Sequence, residues 1–426
     1  MDDEKRRLGY VLFLIAGSGL IAIARAMSLT FVAIKLQQSF GLNPAAVGAI
    51  LGIGPLLGAI TAPFAGSFSD KVGRKSVLAI TLLSMAIALV GMGIAQSVMA
   101  FCLAQVVSAV AIAVYEPISR ALMSDVCPER LRLKYFSWRY TASNVGWAIG
   151  PLIGAAAGAA SGKLFIISGF VYAAIALAVH FRPAPIAQIT DSGMPREAVS
   201  LLKSIKAAAL DPRLAFFIGG GTLLIALYGQ WSATIGTYLA GNVKDGVQIY
   251  AYLSSINGAV VLLGNPFARR FIERAGALPA LVVGCLFFLV SEISFLHATA
   301  FIGFAISMVI FTLGEILVVP SEYLLIDRIS TAHNRGSYFG AHSFSTIGNS
   351  LGPMLGGLML FAYGGVGMFS LFVAFAAASA TFFIIGTHMP PPPLRKDDRS
   401  MQPGDRPHDA LSVDFGVQTA YRGTAV

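Results

Sequence analysis

Long apolar runs alternate with short polar stretches along most of the chain. Crossing the hydrocarbon core of a bilayer takes about 20 apolar residues in a helix. Twelve runs meet that length, at about 8–36, 44–66, 76–95, 98–122, 135–160, 162–181, 213–240, 247–268, 277–297, 299–322, 336–362 and 365–388. The first follows Lys5, Arg6 and Arg7, as a secretory leader would, but it has no clear small-residue cleavage site and many similar runs come after it. It therefore reads as the first span. A polar stretch at 182–212 divides the runs six and six, and residues 198–210, with Lys203 and Lys206 among apolar neighbours, suit either a short helix on the membrane surface or a plain linker. Pro390 to Pro393 close the last run, and the polar tail beyond is expected to be disordered.

Composition agrees with this pattern. Of 426 residues 56% are hydrophobic and 12% charged, with a mean hydropathy of +0.74. A soluble domain carries roughly 25% charged residues, so lipid is the solvent that fits. The net charge of +9 points to topology rather than to nucleic acid, because of where the charges fall. Of 30 Lys and Arg, 24 lie in the stretches on one side of the predicted spans and 3 on the other, with Arg25, Arg120 and Arg139 in or near spans. The positive-inside rule then puts both termini in the cytoplasm. Cys102, Cys127 and Cys285 lie far apart, with neither metal-ligand spacing nor a disulfide framework. The expectation is an all-α, multi-pass protein of a bacterial inner membrane, monomeric and embedded in lipid. Its units are a six-helix bundle at 1–181, a connector at 182–212, a second bundle at 213–388 and a tail at 389–426.

The two halves repeat. Gly146, Gly150, Pro151 and Gly154 in the fifth run recur in identical register as Gly348, Gly352, Pro353 and Gly356 in the eleventh, 202 residues later. Asp125 matches Asp327 at the same offset. Duplicated halves are common in secondary transporters, whose solute sites lie at the midplane between them.

The decapeptide from Gly66 to Lys75, with Asp70, Gly73 and Arg74 inside it, resembles the Gly-x-x-x-Asp-x-x-Gly-Arg-Lys/Arg signature that the major facilitator superfamily carries between its second and third helices. The Gly-Pro run of the fifth helix resembles the motif of that superfamily's twelve-span drug:proton antiporters. Lys134 to Ser137, Asn144 to Trp147 and Arg335 to Tyr338 are similar to a group of small bacterial exporters linked to drugs, dipeptides or sugars. The resemblance implies two pseudo-symmetric six-helix bundles. It also implies a cytoplasmic latch of Gly66, Asp70, Gly73, Arg74 and Lys75 with Asp125, working as a bistable charged contact; ordinary surface ion pairs are the plainer reading. For the Gly-Pro runs it implies a hinge and proton seal between the halves, against plain close packing. The chain departs from the branch at Gln105 and Ala109, where an Arg and a Gly are usual, and its second-half copy of the loop signature, Asn265 to Gly276, lacks the Asp-x-x-Gly-Arg core.

Charges inside spans are costly and mark function. Glu116, Glu315, Arg25 and Arg139 are the candidates for proton coupling, the two arginines as cavity charges that either tune Glu116 or bind solute, although Glu116 and Arg120 lie i, i+4 and could simply neutralise each other. His342 is titratable near neutral pH but reads first as a packing residue, and Glu292 reads as an interfacial charge. Gln230, Tyr228, Trp231, Asn257 and Asn349 are candidate solute contacts, each equally at home in helix packing. No catalytic constellation, metal cluster, cofactor motif or phosphate-binding loop is visible, so an enzyme is not expected. The function expected is alternating-access transport by a proton-coupled antiporter that exports a small organic solute. A proton-linked uptake symporter on the same fold is the first alternative; a non-transporting membrane sensor is the alternative from another class.

Overall fold

In hydrocarbon every backbone polar group must be satisfied within the segment, which favours helices. The computed structural model describes residues 2–159, 161–185, 211–229, 231–330 and 334–390, and within them the chain is helical with short connections. The first half holds α1 (Asp2–Leu29), α2 (Val32–Phe40), α3 (Pro44–Val72), α4 (Arg74–Ile94), α5 (Val98–Val126), α6 (Arg132–Ala156) and α7 (Gly162–Phe181). The second holds α8 (Pro212–Tyr228), α9 (Trp231–Asn242), α10 (Gly246–Ala275), α11 (Ala277–His297), α12 (Phe301–Ile329), α13 (Arg335–His342) and, after a 3-10 turn at Ser343–Ile347, α14 (Gly348–His388).

Local chemistry sets several boundaries. Asn43 caps α3 by accepting the Ala46 N–H at 2.9 Å, with Pro44 as the first helical residue. Ser97 and Ser161 cap α5 and α7 in the same way. Gly41 ends α2 in the left-handed region at φ 67°. Gly364, at φ 66°, breaks the long C-terminal stretch where the eleventh and twelfth runs were expected to part.

Ten helical stretches are long and apolar enough to cross a membrane, among the described residues. One of them runs over Arg335–His388 and contains the break at Gly364. The 25-residue α6, with its polar first half, is not among the ten. The first and seventh runs are each interrupted, at Thr30–Phe31 and at Gly229, giving α1 with α2 and α8 with α9. Most of the connector and the tail beyond residue 390 lie outside the described residues.

Each half has its own apolar core. Tyr10, Phe101 and Phe165 anchor one; Phe288, Phe311, Phe369 and Phe372 anchor the other. The halves meet along α3 with α14 and α6 with α10, and α2 packs on α9. The end carrying α2, the start of α3 and the α9–α10 turn is shut. A Cβ on Gly48 would overlap the Pro353 carbonyl oxygen and lie 3.2 Å from the Gly357 Cα; one on Gly357 would overlap the Pro44 carbonyl. Deeper between the halves, α5 and α12 do not pack along one another.

A buried polar network ties the start of the second half together. Asp211 is 1% exposed. It accepts from Arg213 Nε at 3.0 Å, Arg213 Nη2 at 2.7 Å and the Tyr338 hydroxyl at 2.8 Å. A hydrogen bond to a charged partner contributes about 1.5–3 kcal/mol. Tyr338→Phe should therefore lower the thermal midpoint of the detergent-solubilised protein clearly, and an unchanged midpoint would show that the Tyr338 bond contributes nothing.

Candidate functional site

The first half presents one carboxylate to three guanidiniums. Glu116 stands on α5 directly before Pro117, whose missing N–H opens the helix at that turn. Arg25 comes from α1, Arg120 from the next turn of α5 and Arg139 from α6. Their terminal nitrogens lie 3.6, 3.3 and 3.7 Å from the Glu116 oxygens. Arg139 is buried; its Nε donates to Ser18 Oγ at 3.1 Å, and its Nη1 has no hydrogen-bond partner among the described residues. Arg25 lies 5.5 Å above the Trp147 ring, a cation–π placement. Glu116, at 37% exposure, and Arg120, at 66%, are not enclosed by the protein. The structure thus gathers Arg25, Glu116 and Arg139 into one cluster and adds Arg120.

The second half holds two carboxyls in different settings. Glu315 of α12 accepts from Asn257 Nδ2 of α10 at 2.9 Å, and the same amide donates to Thr312 Oγ1 at 3.0 Å. Asn257 is thereby a helix-to-helix tie as well as a candidate solute contact. Glu322, a residue the sequence reading passed over, is 2% exposed and faces His342 of α13 at 3.5 Å. Ser345 Oγ is 3.4 Å from the other His342 ring nitrogen, and the Tyr323 ring stands edge-on to the imidazole at 5.5 Å. A Cβ on Gly221 of α8 would overlap a Glu322 oxygen, so glycine there is what admits the carboxyl. The tenth run was expected to end near 322. The helix continues to Ile329, which sets Glu322 about two turns inside. Glu292, expected at the interface, is instead fully buried with neither oxygen hydrogen-bonded among the described residues. Its helix packs between α12 and α14, which covers that face.

Gly146, Gly150, Gly154, Gly348 and Gly356 of the two Gly-Pro runs face inward within their own halves. Cβ atoms on Gly146 and Gly150 would meet Ala22 and Ala26 of α1 at 2.6 Å, and one on Gly154 would overlap the Met27 carbonyl. In the second half Gly348 lies against the backbone of α8 at Thr222 and Ala226, and Gly356 against Phe372 and Thr234. Contact across the halves comes from other atoms of the same helices: the Pro353 carbonyl and Met354 against Gly48 and Gly52, and Ala148 against Gly258. Tyr140 also accepts a hydrogen bond from Asn265 across the halves at 3.0 Å. A single partly exposed bond of this kind contributes about 0.5–1.5 kcal/mol. Tyr140→Phe should therefore fold normally and lower any transport rate by no more than a few-fold; loss of folding would mean the bond matters far more.

Of the expected latch, Arg74 pairs with Asp125, its Nη1 at 2.7 Å from both carboxylate oxygens. Gly73 takes φ 101° in the turn between α3 and α4, a region glycine enters freely. The side chain of Asp70 lies outside the described residues. In the second half Asp327 pairs with Arg335 at the start of α13, consistent with the lost Asp-x-x-Gly-Arg core of the loop copy. Among the candidate solute contacts, Tyr228 stacks on Phe288 and Trp231 packs tilted at 57° against Tyr250, both against the second core. Asn349 approaches Gly229 at the α8–α9 break, and Gln230 lies outside the described residues.

Two helical bundles with a repeated Gly-Pro motif, each holding charged residues inside long apolar helices, have the makings of a membrane transporter. Residues 14–346 match the family model described as Major Facilitator Superfamily, and the chain belongs to that family. Over 335 residues it is 26% identical to the multidrug resistance protein MdtG of Salmonella typhi, covering 74% of this chain and 79% of that one. It is 25% identical over 398 residues to a Na(+), Li(+), K(+)/H(+) antiporter of Planococcus maritimus, with coverage of 85% and 92%. The crystal structure of the nucleoside transporter NupG superposes with a TM-score of 0.75 at 16% identity, covering 89% of this chain and 99% of that one. That likeness shows the fold. The chain is a transporter and not an enzyme.

Proposed function

We propose that this transporter is a proton-coupled antiporter that exports a small organic solute from the cytoplasm across the inner membrane, as a monomer. Twelve crossings follow if α6 spans the membrane and the Arg335–His388 stretch turns back at Gly364. Both termini are then cytoplasmic, as the Lys and Arg distribution requires. The shut end becomes the outer face, and the molecule is in its inward-facing state.

The observation that carries the reading is the pairing of unlike titratable sites across the two halves. Glu116 is held among guanidiniums, whereas Glu322 is buried against a histidine. A carboxyl exchanging between such surroundings during alternating access can take up a proton on one side and hand it on at the other. Glu315 stays a second candidate in this role, and Arg25 and Arg139 act through their charge on Glu116. Antiport is supported by the Gly-Pro runs and by the relatives whose names record drug resistance and cation–proton exchange.

The test is solute-triggered proton movement in acidified inverted vesicles across drugs, dipeptides, sugars and siderophores. Wild type is run beside Glu116→Gln, Glu315→Gln and Glu322→Gln. Proton efflux evoked by one solute class and lost in a Gln variant is the expected result. Solute accumulation driven in the opposite sense would replace antiport by uptake.

A further inference from the structure

We propose that the Arg25–Arg139–Arg120 cluster is an organic-anion site, in which the carboxylate, phosphate or sulfonate group of the transported solute displaces Glu116. This rests on the transport reading above and names its solute class.

The chain supplies its own standard of comparison. Where it uses arginine as a structural tie the contacts are short: 2.7 Å for Arg74 with Asp125 and 2.7 Å for Arg213 with Asp211. Those are the distances of charge-assisted hydrogen bonds. Glu116 is 3.3–3.7 Å from each of its three partners, so it neutralises part of the cluster and bonds none of it well. Three cations face one anion. Among the described residues no other carboxylate comes within 4.0 Å of those guanidiniums.

The buried Arg139 adds an independent sign. Its Nη1 has no hydrogen-bond partner among the described residues, although the side chain is 8% exposed. Its Nε is tied to Ser18, which holds the fork in place. An unpaired buried guanidinium N–H is costly unless an anion completes it. Arg25 and Arg120 stand at 28% and 66% exposure, so protein leaves room beside them for a ligand. The three come from α1, α5 and α6, so an anion bound among them would join three helices of the first half. A planar carboxylate fits such forks bidentately.

The test uses the purified full-length chain in detergent with probes matched in shape and differing in charge. One series is 1-naphthoate, 1-naphthamide and 1-naphthylmethylamine; the other is glutarate, glutaramide and 1,5-diaminopentane. Binding is read by calorimetry and by thermal shift. The expected result is binding of at least one anion, with its amide and amine failing. Losing one charged fork should weaken that anion about tenfold or more in Arg139→Gln and in Arg25→Gln, the latter a partly exposed site that guards against misfolding of the former. Glu116→Gln should tighten it, because a competitor is gone; a merely structural Glu116 would move affinity the other way. Preference for the amine or amide, failure of both anions to bind, or weakening in Glu116→Gln would overturn the proposal. Binding needs no gradient, so the two readings fail separately. Anion binding without proton movement in vesicles would sink the coupling alone. Proton movement evoked only by amines would sink the anion site alone.

Discussion

Placing leucine at Gly48 should open the shut end of the molecule. A Cβ there already overlaps the Pro353 carbonyl and touches the Gly357 Cα, and backbone cannot step aside as a flexible side chain can. Overpacking costs about 1–3 kcal/mol, and each ~1.4 kcal/mol shifts a two-state population about tenfold. Gly48→Leu should thus empty the state described here in favour of one with that end apart. Spin labels at the exposed Gln38 and Lys244, with the native cysteines replaced, would read the change. Helix pairs without glycine contacts sit about 8–10 Å apart, so the mean label distance should lengthen by a few ångström. Solute-evoked proton movement should fall at least tenfold. Gly9→Ala is the control, since nothing lies within 4 Å of its added Cβ. An unchanged distance in Gly48→Leu would mean that the contact adapts rather than opens.

Glu322→Gln should separate coupling from binding. The amide keeps the size and hydrogen-bonding reach of the carboxyl beside His342, but it cannot carry a proton. Proton movement triggered by solute should drop at least a hundredfold, while exchange of labelled for unlabelled solute across the membrane persists. Substitution of Glu315, already engaged by Asn257, should have the smaller effect. Equal proton signals in wild type and Glu322→Gln would remove the residue from the coupling path and return the role to Glu116 or Glu315.

Much of the architecture was legible because hydropathy and punctuation agree. The runs predicted at 76–95, 162–181 and 277–297 end within two residues of α4, α7 and α11, each starting beside a glycine or serine. Hydropathy misleads where polar residues continue a helix. At α12 the pattern fades near Glu322, yet i to i−4 hydrogen bonds carry on to Ile329, and this hid Glu322, the buried neighbour of His342. The breaks at Thr30–Phe31 and Gly229 carry no proline to announce them. At the cluster the sequence named Arg25, Glu116 and Arg139 as charges inside spans, and left open which of them meet. It offered Arg120 as an i, i+4 helix neighbour able to neutralise Glu116. Only the placement of α1 against α5 and α6 makes it a third cation around one carboxylate. The inward face of the Gly-Pro runs was equally hidden, since spacing marks a close approach without saying to which helix.

The excess of two positive charges in that cluster has an electrical consequence. If alternating access in the proposed antiport cycle carries the cluster through part of the transmembrane field, the solute-free, proton-loaded carrier moves net positive charge on its return, whereas a bound anion would cancel some of it. An inside-negative potential acts on each charge with about 2.3 kcal/mol per 100 mV. Voltage would then favour the solute-free molecule turning inward, which in the proposed export cycle is the resetting stroke. The resetting stroke, not the export stroke, would be the step the membrane potential accelerates most.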